Sequence, residues 1–198
     1  MELIVSGDRE NVIRWLNAAP DLMKHRAASG ASRQGAKANF FARIKHYIYE
    51  GDTALHMAAA AQQRRIAEEL ISRGADVRAR NRRGAEPLHY AVDGGPDLPL
   101  WTPEEQIAII VGLIRAGADP NAVDESGVTP LHRAVRNRCA GAVKALIDGG
   151  ADPSAPNKNG STPWVLATLN TGKSGSGSRR AKEQQREILR ILEERGAR

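Results

Sequence analysis

The stretch GVTPLHRAVRNRCAGAVKALIDGGAD, residues 127–152, contains two predicted helices and a glycine stop. Thr129 carries a side-chain oxygen that can cap a helix, and Pro130 follows at the first helical position, where its missing N–H costs nothing. A second apolar run, AVKALI at residues 142–147, predicts a two-turn helix that ends at Gly149 and Gly150. Two short helices with a tight reversal cannot bury their own apolar face, so this unit must pack against others.

The opening words of this stretch recur along the chain at fixed distances. They begin at residue 51 as GDTALHMAA, at 84 as GAEPLHYAV, at 127 as GVTPLHRAV and at 160 as GSTPWVLAT, so the spacings are 33, 43 and 33. The ends of the units recur as well, as RGAD, AGADP, GGADP and a terminal RGA. Such self-similarity is typical of a solenoid, in which each unit buries its apolar face against the next.

With TPLHRA at residues 129–134, the chain resembles the ankyrin repeat family, whose motif is TPLHxA and whose period is about 33. The resemblance implies an all-α solenoid of helix-turn-helix units joined by short β-hairpin-like finger turns. It covers residues 51–198 and, more weakly, the first 20 residues. The predicted repeats are residues 51–83, 84–126, 127–159 and 160–198. In this family the fingers and the first helix of each pair form the recognition surface, so the resemblance also implies a protein-binding module.

Residues 1–22 are interpreted as a degenerate first repeat that caps the solenoid against solvent. Asp8 is placed to cap a helix. The predicted apolar face of this cap consists of Val12, Ile13, Trp15 and Leu16.

Residues 23–50 form the main departure from the family pattern, a basic linker followed by the aromatic insert FFARIKHYIY at residues 40–49. Its apolar side chains recur at helical spacing, so an added amphipathic helix on the repeat stack is predicted. One interpretation buries these rings as local core. The other leaves His46, Tyr47 and Tyr49 partly exposed as a partner-binding surface. The sequence leaves both open.

The turn DVRARNRRG, residues 76–84, brings four arginines together and is called the basic finger below: Arg78, Arg80, Arg82 and Arg83. Residues 24–83 hold 13 Lys and Arg against 5 Asp and Glu, whereas the remaining chain is slightly acidic. The formal excess of +6 therefore comes from one region. Such a field attracts an acidic protein surface, nucleic acid or an anionic membrane, although a merely solvated surface has the same composition.

Two repeats carry insertions. The second holds ten extra residues around GGPDLPLWTPEEQ, residues 94–106, where Thr102, Pro103 and Glu105 predict a capping box and Trp101 a hydrophobic staple. The second helix of this repeat is therefore predicted to restart at Pro103 and to run to Ala116, with Gly117 as its stop. The fourth is interrupted near TGKSGSGSRRAKE, residues 171–183, and ATLNTGKS there matches a relaxed phosphate-loop pattern. A working phosphate loop follows a buried strand and opens a helix, whereas this one follows a predicted helix and precedes GSGS. A flexible glycine and serine loop is the preferred interpretation.

No catalytic residues, metal site or cofactor are predicted. His56, His89 and His132 occupy one repeat position, which argues for a shared structural task in each repeat rather than a converging triad. Cys139, the single cysteine, lies near a helix start, and a small buried thiol is its preferred interpretation.

We therefore expect a monomeric, cytoplasmic adaptor without a membrane span, binding a protein partner of acidic surface through its concave face and basic finger. The proposed contact residues are the four finger arginines with His46, Tyr47 and Tyr49. A basic module that contacts nucleic acid is the alternative from a different class. A third alternative is a nucleotide-binding protein that uses Lys173.

Overall fold

The computed structural model describes residues 1–32, 36–98, 101–169 and 178–197. Within these residues the chain forms helices and one two-stranded hairpin, with short 3-10 turns at Pro20–Lys24 and Lys37–Asn39. The helices are α1 Glu2–Ser6, α2 Arg9–Ala18, α3 Ala54–Ala60, α4 Arg64–Ser72, α5 Pro87–Ala91, α6 Pro103–Arg115, α7 Pro130–Arg136, α8 Ala140–Asp148, α9 Pro163–Thr168 and α10 Arg179–Glu194. The strands are β1 Phe40–Phe41 and β2 His46–Tyr47.

The helices stack in two layers, which confirms the predicted all-α solenoid. First helices pack on first helices in the order α1, α3, α5, α7 and α9, and second helices follow as α2, α4, α6, α8 and α10. Equivalent positions of the second helices supply a row of fully buried leucines: Leu70, Leu113, Leu146 and Leu192. The core therefore runs the length of the stack, because each unit buries its apolar face only against its neighbours.

Threonine begins three of the first helices. The hydroxyls of Thr53, Thr129 and Thr162 accept from the backbone N–H three residues ahead, with ψ between 165 and 170° at each cap. The capping box predicted at Thr102 is wrong, because its side chain makes no such bond. The chain enters α6 from the insertion with ψ 114° at Thr102, whereas the threonines that do cap have ψ of 165 to 170°.

Trp101 lies immediately before this helix and is buried, as its predicted staple position requires. Its partner is polar, since the indole N–H donates to Gln106 Oε1 at 3.0 Å. The helix begins at Pro103, as predicted, and ends at Arg115, one residue before the predicted end at Ala116 and ahead of Gly117, which has φ 99°.

The segment predicted to cap the solenoid, residues 1–22, contains the helical pair α1 and α2. Asp8 caps α2 by accepting from Asn11 N–H at 3.1 Å, as predicted. The predicted apolar face is partly wrong, because Trp15 is 55% exposed while Val12 and Leu16 are buried. Those two residues are four apart and share the face that meets the stack, whereas Trp15 lies about 100° around the helix from Leu16.

The aromatic insert is a hairpin, so the predicted amphipathic helix is wrong. β1 and β2 pair antiparallel with Phe40 opposite Tyr47, and the turn between them places Lys45 at φ 48°. The flanking backbone is also paired laterally. Ile48 N–H donates to the carbonyl of Asn39, and the Ile48 carbonyl accepts from Ala31 N–H. A helix would leave those lateral partners unpaired, so the hairpin is the better solution despite the apolar spacing.

The insertion in the fourth repeat falls largely outside the described residues, and Lys173 of the phosphate-loop pattern lies there. No helix in the described ranges combines the length and apolar character that a membrane span requires.

Candidate functional site

The fingers between repeats are joined laterally through their backbones. Arg82 N–H donates to Glu50 O, Glu125 N–H to Arg83 O, and Lys158 N–H to Ser126 O, at 2.8 to 3.1 Å. Within each finger an Asn or Asp at the repeated position accepts backbone N–H groups; in the basic finger Asn81 Oδ1 accepts from Arg83 and Ala85. The fingers therefore form a continuous ribbon that fixes the backbone of the exposed arginines.

Each arginine of the basic finger is exposed and donates to one neutral oxygen. Arg78 Nε lies 2.7 Å from Gly117 O, and Arg80 Nη2 lies 2.6 Å from Val123 O, both in the next finger region. Arg82 Nη2 donates to Ala31 O at 2.8 Å, and Arg83 Nη1 donates to the Tyr49 hydroxyl at 3.0 Å. Carbonyl and hydroxyl acceptors orient a guanidinium without cancelling its charge, so the finger stays cationic.

A carboxylate approaches only the third of these arginines within the described residues. Arg82 Nη1 lies 3.9 Å from Glu50 Oε2, and both side chains are about half exposed, so this pair is weak. Arg83 adds a cation–π contact, with its guanidinium carbon 4.9 Å from the centre of the Tyr49 ring. The insert and the basic finger are thus in direct contact.

The three insert residues singled out in the sequence are all half-buried. His46 faces inward, with Nδ1 3.3 Å from Asp93 Oδ2 and its ring 4.5 Å from that of Tyr90. Tyr47 packs against Phe40 across the hairpin at 4.7 Å. Tyr49 leaves its hydroxyl at the surface beside Arg83. Only part of each ring therefore faces solvent.

A buried polar network beneath the insert is absent from the sequence predictions. The Asp52 carboxylate, fully buried, accepts from Asn81 Nδ2 at 2.8 Å, from the Tyr90 hydroxyl at 3.0 Å and from Tyr49 N–H at 2.6 Å. Burial and the adjacent Asp52 charge raise the pKa of the Tyr90 phenol well above its usual value. The sequence signal is Asp52 itself, because the other repeats carry Ala, Val or Ser at the equivalent position.

The three repeated histidines join each repeat to the next. The Nδ1 atoms of His56, His89 and His132 accept from the backbone N–H that begins their own helix, at 3.1 to 3.2 Å. Nε2 must then carry the proton, and it donates to the carbonyls of Ala85, Val128 and Ser161 in the following repeat at 3.0 to 3.1 Å. Burial lowers the pKa of all three imidazoles, that of His89 to about 3. The structural task predicted for this position is confirmed.

Cys139 is buried at the N-cap of α8. Burial raises the pKa of its thiol to about 12. The group is a protonated core thiol at neutral pH. Among the described residues no group of three or more His, Cys, Asp and Glu side chains could hold a metal ion.

A groove of about 610 Å³ lies between the insert and the fingers. Its lining includes Lys45 and Tyr49 of the insert and Arg136 and Asn137 at the end of α7. Arg133 lies at its base and engages Asp124 at 3.0 Å, with Asp93 at 3.9 Å. The two acidic residues of the groove are therefore paired, whereas Lys45 and Arg136 form no ion pair with any described residue.

Comparison with known families gives two matches. A model of ankyrin repeats in three copies matches residues 7–98, and a model of ankyrin repeats in many copies matches residues 113–167. A search of the curated proteins finds no match.

Proposed function

The chain belongs to the ankyrin repeat family, and we propose that it is a binding module whose concave face and basic finger receive a protein partner with an acidic surface. Ankyrin repeats are in general protein–protein interaction modules, which supports the class of function. The partner's charge rests on one observation, the four exposed guanidiniums of the basic finger, each bonded to a neutral oxygen.

These bonds favour binding in a specific way. A guanidinium that is already oriented loses less side-chain entropy when it meets a carboxylate, and it keeps spare N–H donors for that purpose. Arg78 and Arg80 are fixed to the neighbouring finger region, and Arg83 is fixed to Tyr49 of the insert. The proposed surface therefore joins the finger to His46, Tyr47 and Tyr49, the half-buried insert residues beside it.

The test must separate charge from architecture, because replacing these arginines by Glu would also break contacts within the chain. One variant replaces all four finger arginines by Lys, which keeps the charge. A second replaces them by Gln, which removes the charge and keeps an N–H donor. A matched control replaces four exposed arginines of the helices, none in an ion pair with a described residue, by Gln: Arg14, Arg65, Arg115 and Arg186.

Capture from a source lysate is then compared for the four chains, with a nuclease-treated arm. We expect the intact chain, the Lys variant and the control to capture the same protein after nuclease treatment, and the Gln variant to lose it. Equal capture by the Gln variant would remove the basic finger from the site. Capture that disappears with nuclease would replace the protein partner by nucleic acid.

A further inference from the structure

The insertions that interrupt the repeat pattern meet at one place in the fold. The turn of the insert hairpin, residues 43–45, faces the loop of the second repeat between α5 and α6, and both face the turn between α3 and α4. The described part of the fourth-repeat insertion also reaches this place, because the guanidinium of Arg180 lies 4.7 Å from the centre of the Trp101 ring. Segments far apart in sequence therefore build one added surface.

Glutamine side chains fix the walls of this surface. Gln62 accepts from Thr102 N–H at 3.2 Å, and its amide donates to Asp93 O at 3.5 Å. Gln106 accepts from the Trp101 indole and donates to the same carbonyl at 3.4 Å. Gln62 itself has φ 54°, as Arg138 does (φ 58°) at the equivalent turn between α7 and α8, so this backbone conformation belongs to the repeat and places the Gln62 side chain at the loop. The loop is thus bound to the stack rather than free.

A pocket of about 190 Å³ opens between these walls. Its apolar lining includes Val5, Ile44 and Leu98 together with an edge of Trp101, and its charged lining is Arg43 and Lys45. No Asp or Glu is among the described residues that line it. We call it the insertion pocket.

The cations at the pocket are uncompensated. Arg43 and Lys45 are exposed, and neither forms an ion pair with a described residue. The nearby carboxylate of Asp93 is already engaged by His46 at 3.3 Å and lies 3.9 Å from Arg133. Arg180 is also exposed and makes its contact with an indole, which leaves its charge free to act on a ligand. The cationic side chains at the pocket therefore attract carboxylates, whereas its apolar lining disfavours them.

We propose that the insertion pocket binds a short acidic peptide segment, which places one apolar side chain between Ile44 and Leu98 and its carboxylates on Arg43 and Lys45, while Arg180 beside Trp101 adds to the positive field. The proposal rests on the proposed protein-binding function and adds a second contact, with its own chemistry, to that of the basic finger. In protein interfaces a buried centre supplies most of the binding free energy, and the polar rim around it orients the partner. An apolar anchor surrounded by charged side chains has this arrangement.

A peptide fits this site better than a nucleic acid does. Binding of single strands relies on exposed aromatic faces on which bases stack. Trp101 is 7% exposed, and one of its faces is covered by Arg180, so the pocket offers a base no stacking platform. Its aliphatic lining instead suits a side chain such as leucine or isoleucine.

The experiment selects peptides from a display library of random segments of about twelve residues on the intact chain. We expect the selected peptides to be enriched in Asp and Glu around one aliphatic or aromatic residue. Synthetic peptides from the selection should bind Arg43→Gln/Lys45→Gln about tenfold more weakly or worse, and should bind Leu98→Asp more weakly as well. Arg43→Lys, which keeps the charge, and Arg65→Gln, a matched change on α4, should leave the affinity within about twofold.

The opposite results are equally clear. No enrichment, enrichment without acidic residues, or equal affinity for Arg43→Gln/Lys45→Gln would overturn the insertion pocket while leaving the capture experiment on the basic finger untouched. Acidic peptides that lose affinity only in the finger Gln variant would assign the peptide to the finger and overturn the pocket. Labelled oligothymidylate that binds the intact chain and loses affinity in Arg43→Gln/Lys45→Gln would assign the cations to nucleic acid instead.

Discussion

Each buried imidazole of the repeats joins two neighbouring units, because it forms a hydrogen bond with one backbone group in its own repeat and with another in the next repeat. Removing it leaves two buried backbone groups without partners and a cavity where the ring was. We expect His132→Ala to lower the free energy of unfolding by about 2–4 kcal/mol, measured by denaturant titration. His25→Ala, an exposed histidine outside the motif, should change it by less than about 0.5 kcal/mol. Equal effects of the two variants would show that the inter-repeat bonds contribute nothing.

The same histidines predict a pH dependence. Burial lowers the folded-state pKa of His89 to about 3, whereas the unfolded chain binds that proton near pH 6.5. The unfolded state therefore binds more protons below pH 6.5, so stability is fully present above that pH and falls as the pH drops toward 3. Between pH 6 and 4.5 the stability of the intact chain should fall more steeply than that of His89→Gln, by about 1.4 kcal/mol per pH unit. Parallel slopes for the two chains would contradict a neutral buried imidazole.

Glu86 stands where the three other repeats carry the capping Thr of the motif. It is buried, its Oε2 atom has no hydrogen-bond partner in the described part of the chain, and burial raises the pKa of its carboxyl. Glu86→Thr should restore the hydroxyl cap of Thr53 and Thr129 and raise the unfolding free energy by about 1 kcal/mol. The reverse change, Thr129→Glu, should lower it. A destabilised Glu86→Thr would mean that the carboxylate makes a favourable interaction with the nearby Arg80 and Arg78.

At the scale of elements, the repeats were predictable and the insertions were not. The helix starts follow from Thr-Pro and the ends from glycine, which are local signals repeated in register, so α6 was placed correctly even after its insertion. The hairpin of residues 40–47 depends on lateral backbone bonds and on contacts with Tyr90 and Asp93, which lie in a different repeat. Apolar spacing alone cannot distinguish those partners from a helical face.

The candidate site divides in the same way. Charge and turn position placed the basic finger at an exposed turn, since surface charge is written directly in the sequence. The bonds that fix its arginines end on the backbone carbonyls of Gly117 and Val123. Because every residue has a backbone carbonyl, no side-chain pattern in the sequence predicts these bonds. The Asp52 network likewise needs the stacking of two repeats before its partners meet.

The side chain of His46 anchors the insert more than the two strands do, because each strand is only two residues long. His46→Ala removes the contact with Asp93 and the ring contact with Tyr90. We expect faster hydrogen exchange at the amides of Ala31 and Ile48, by about tenfold, because their bonds open with the insert. Amides of α8 serve as the internal control and should keep their protection. Uniform acceleration along the chain would instead mean that the insert opens only with global unfolding.

For the whole molecule, the stacked layers predict that the position of a core mutation in the array decides how many repeats it destabilises. Leu16 and Leu146 are both buried, but α2 packs on α1 and α4 at the end of the stack, whereas α8 packs on both of its outer-layer neighbours, α6 and α10. In an array held by nearest-neighbour interfaces, a cavity in a terminal repeat mainly destabilises that repeat, which then opens locally. A cavity in a central repeat lowers the stability of every partly unfolded form that includes that repeat and of the whole array. Leu146→Ala should therefore lower the global free energy of unfolding by about 2–5 kcal/mol. Leu16→Ala should raise hydrogen exchange mainly in α1 to α3 and leave the amides of α8 protected. If both variants shift all amides by the same factor, the stack unfolds as a single cooperative unit and the cap does not open independently.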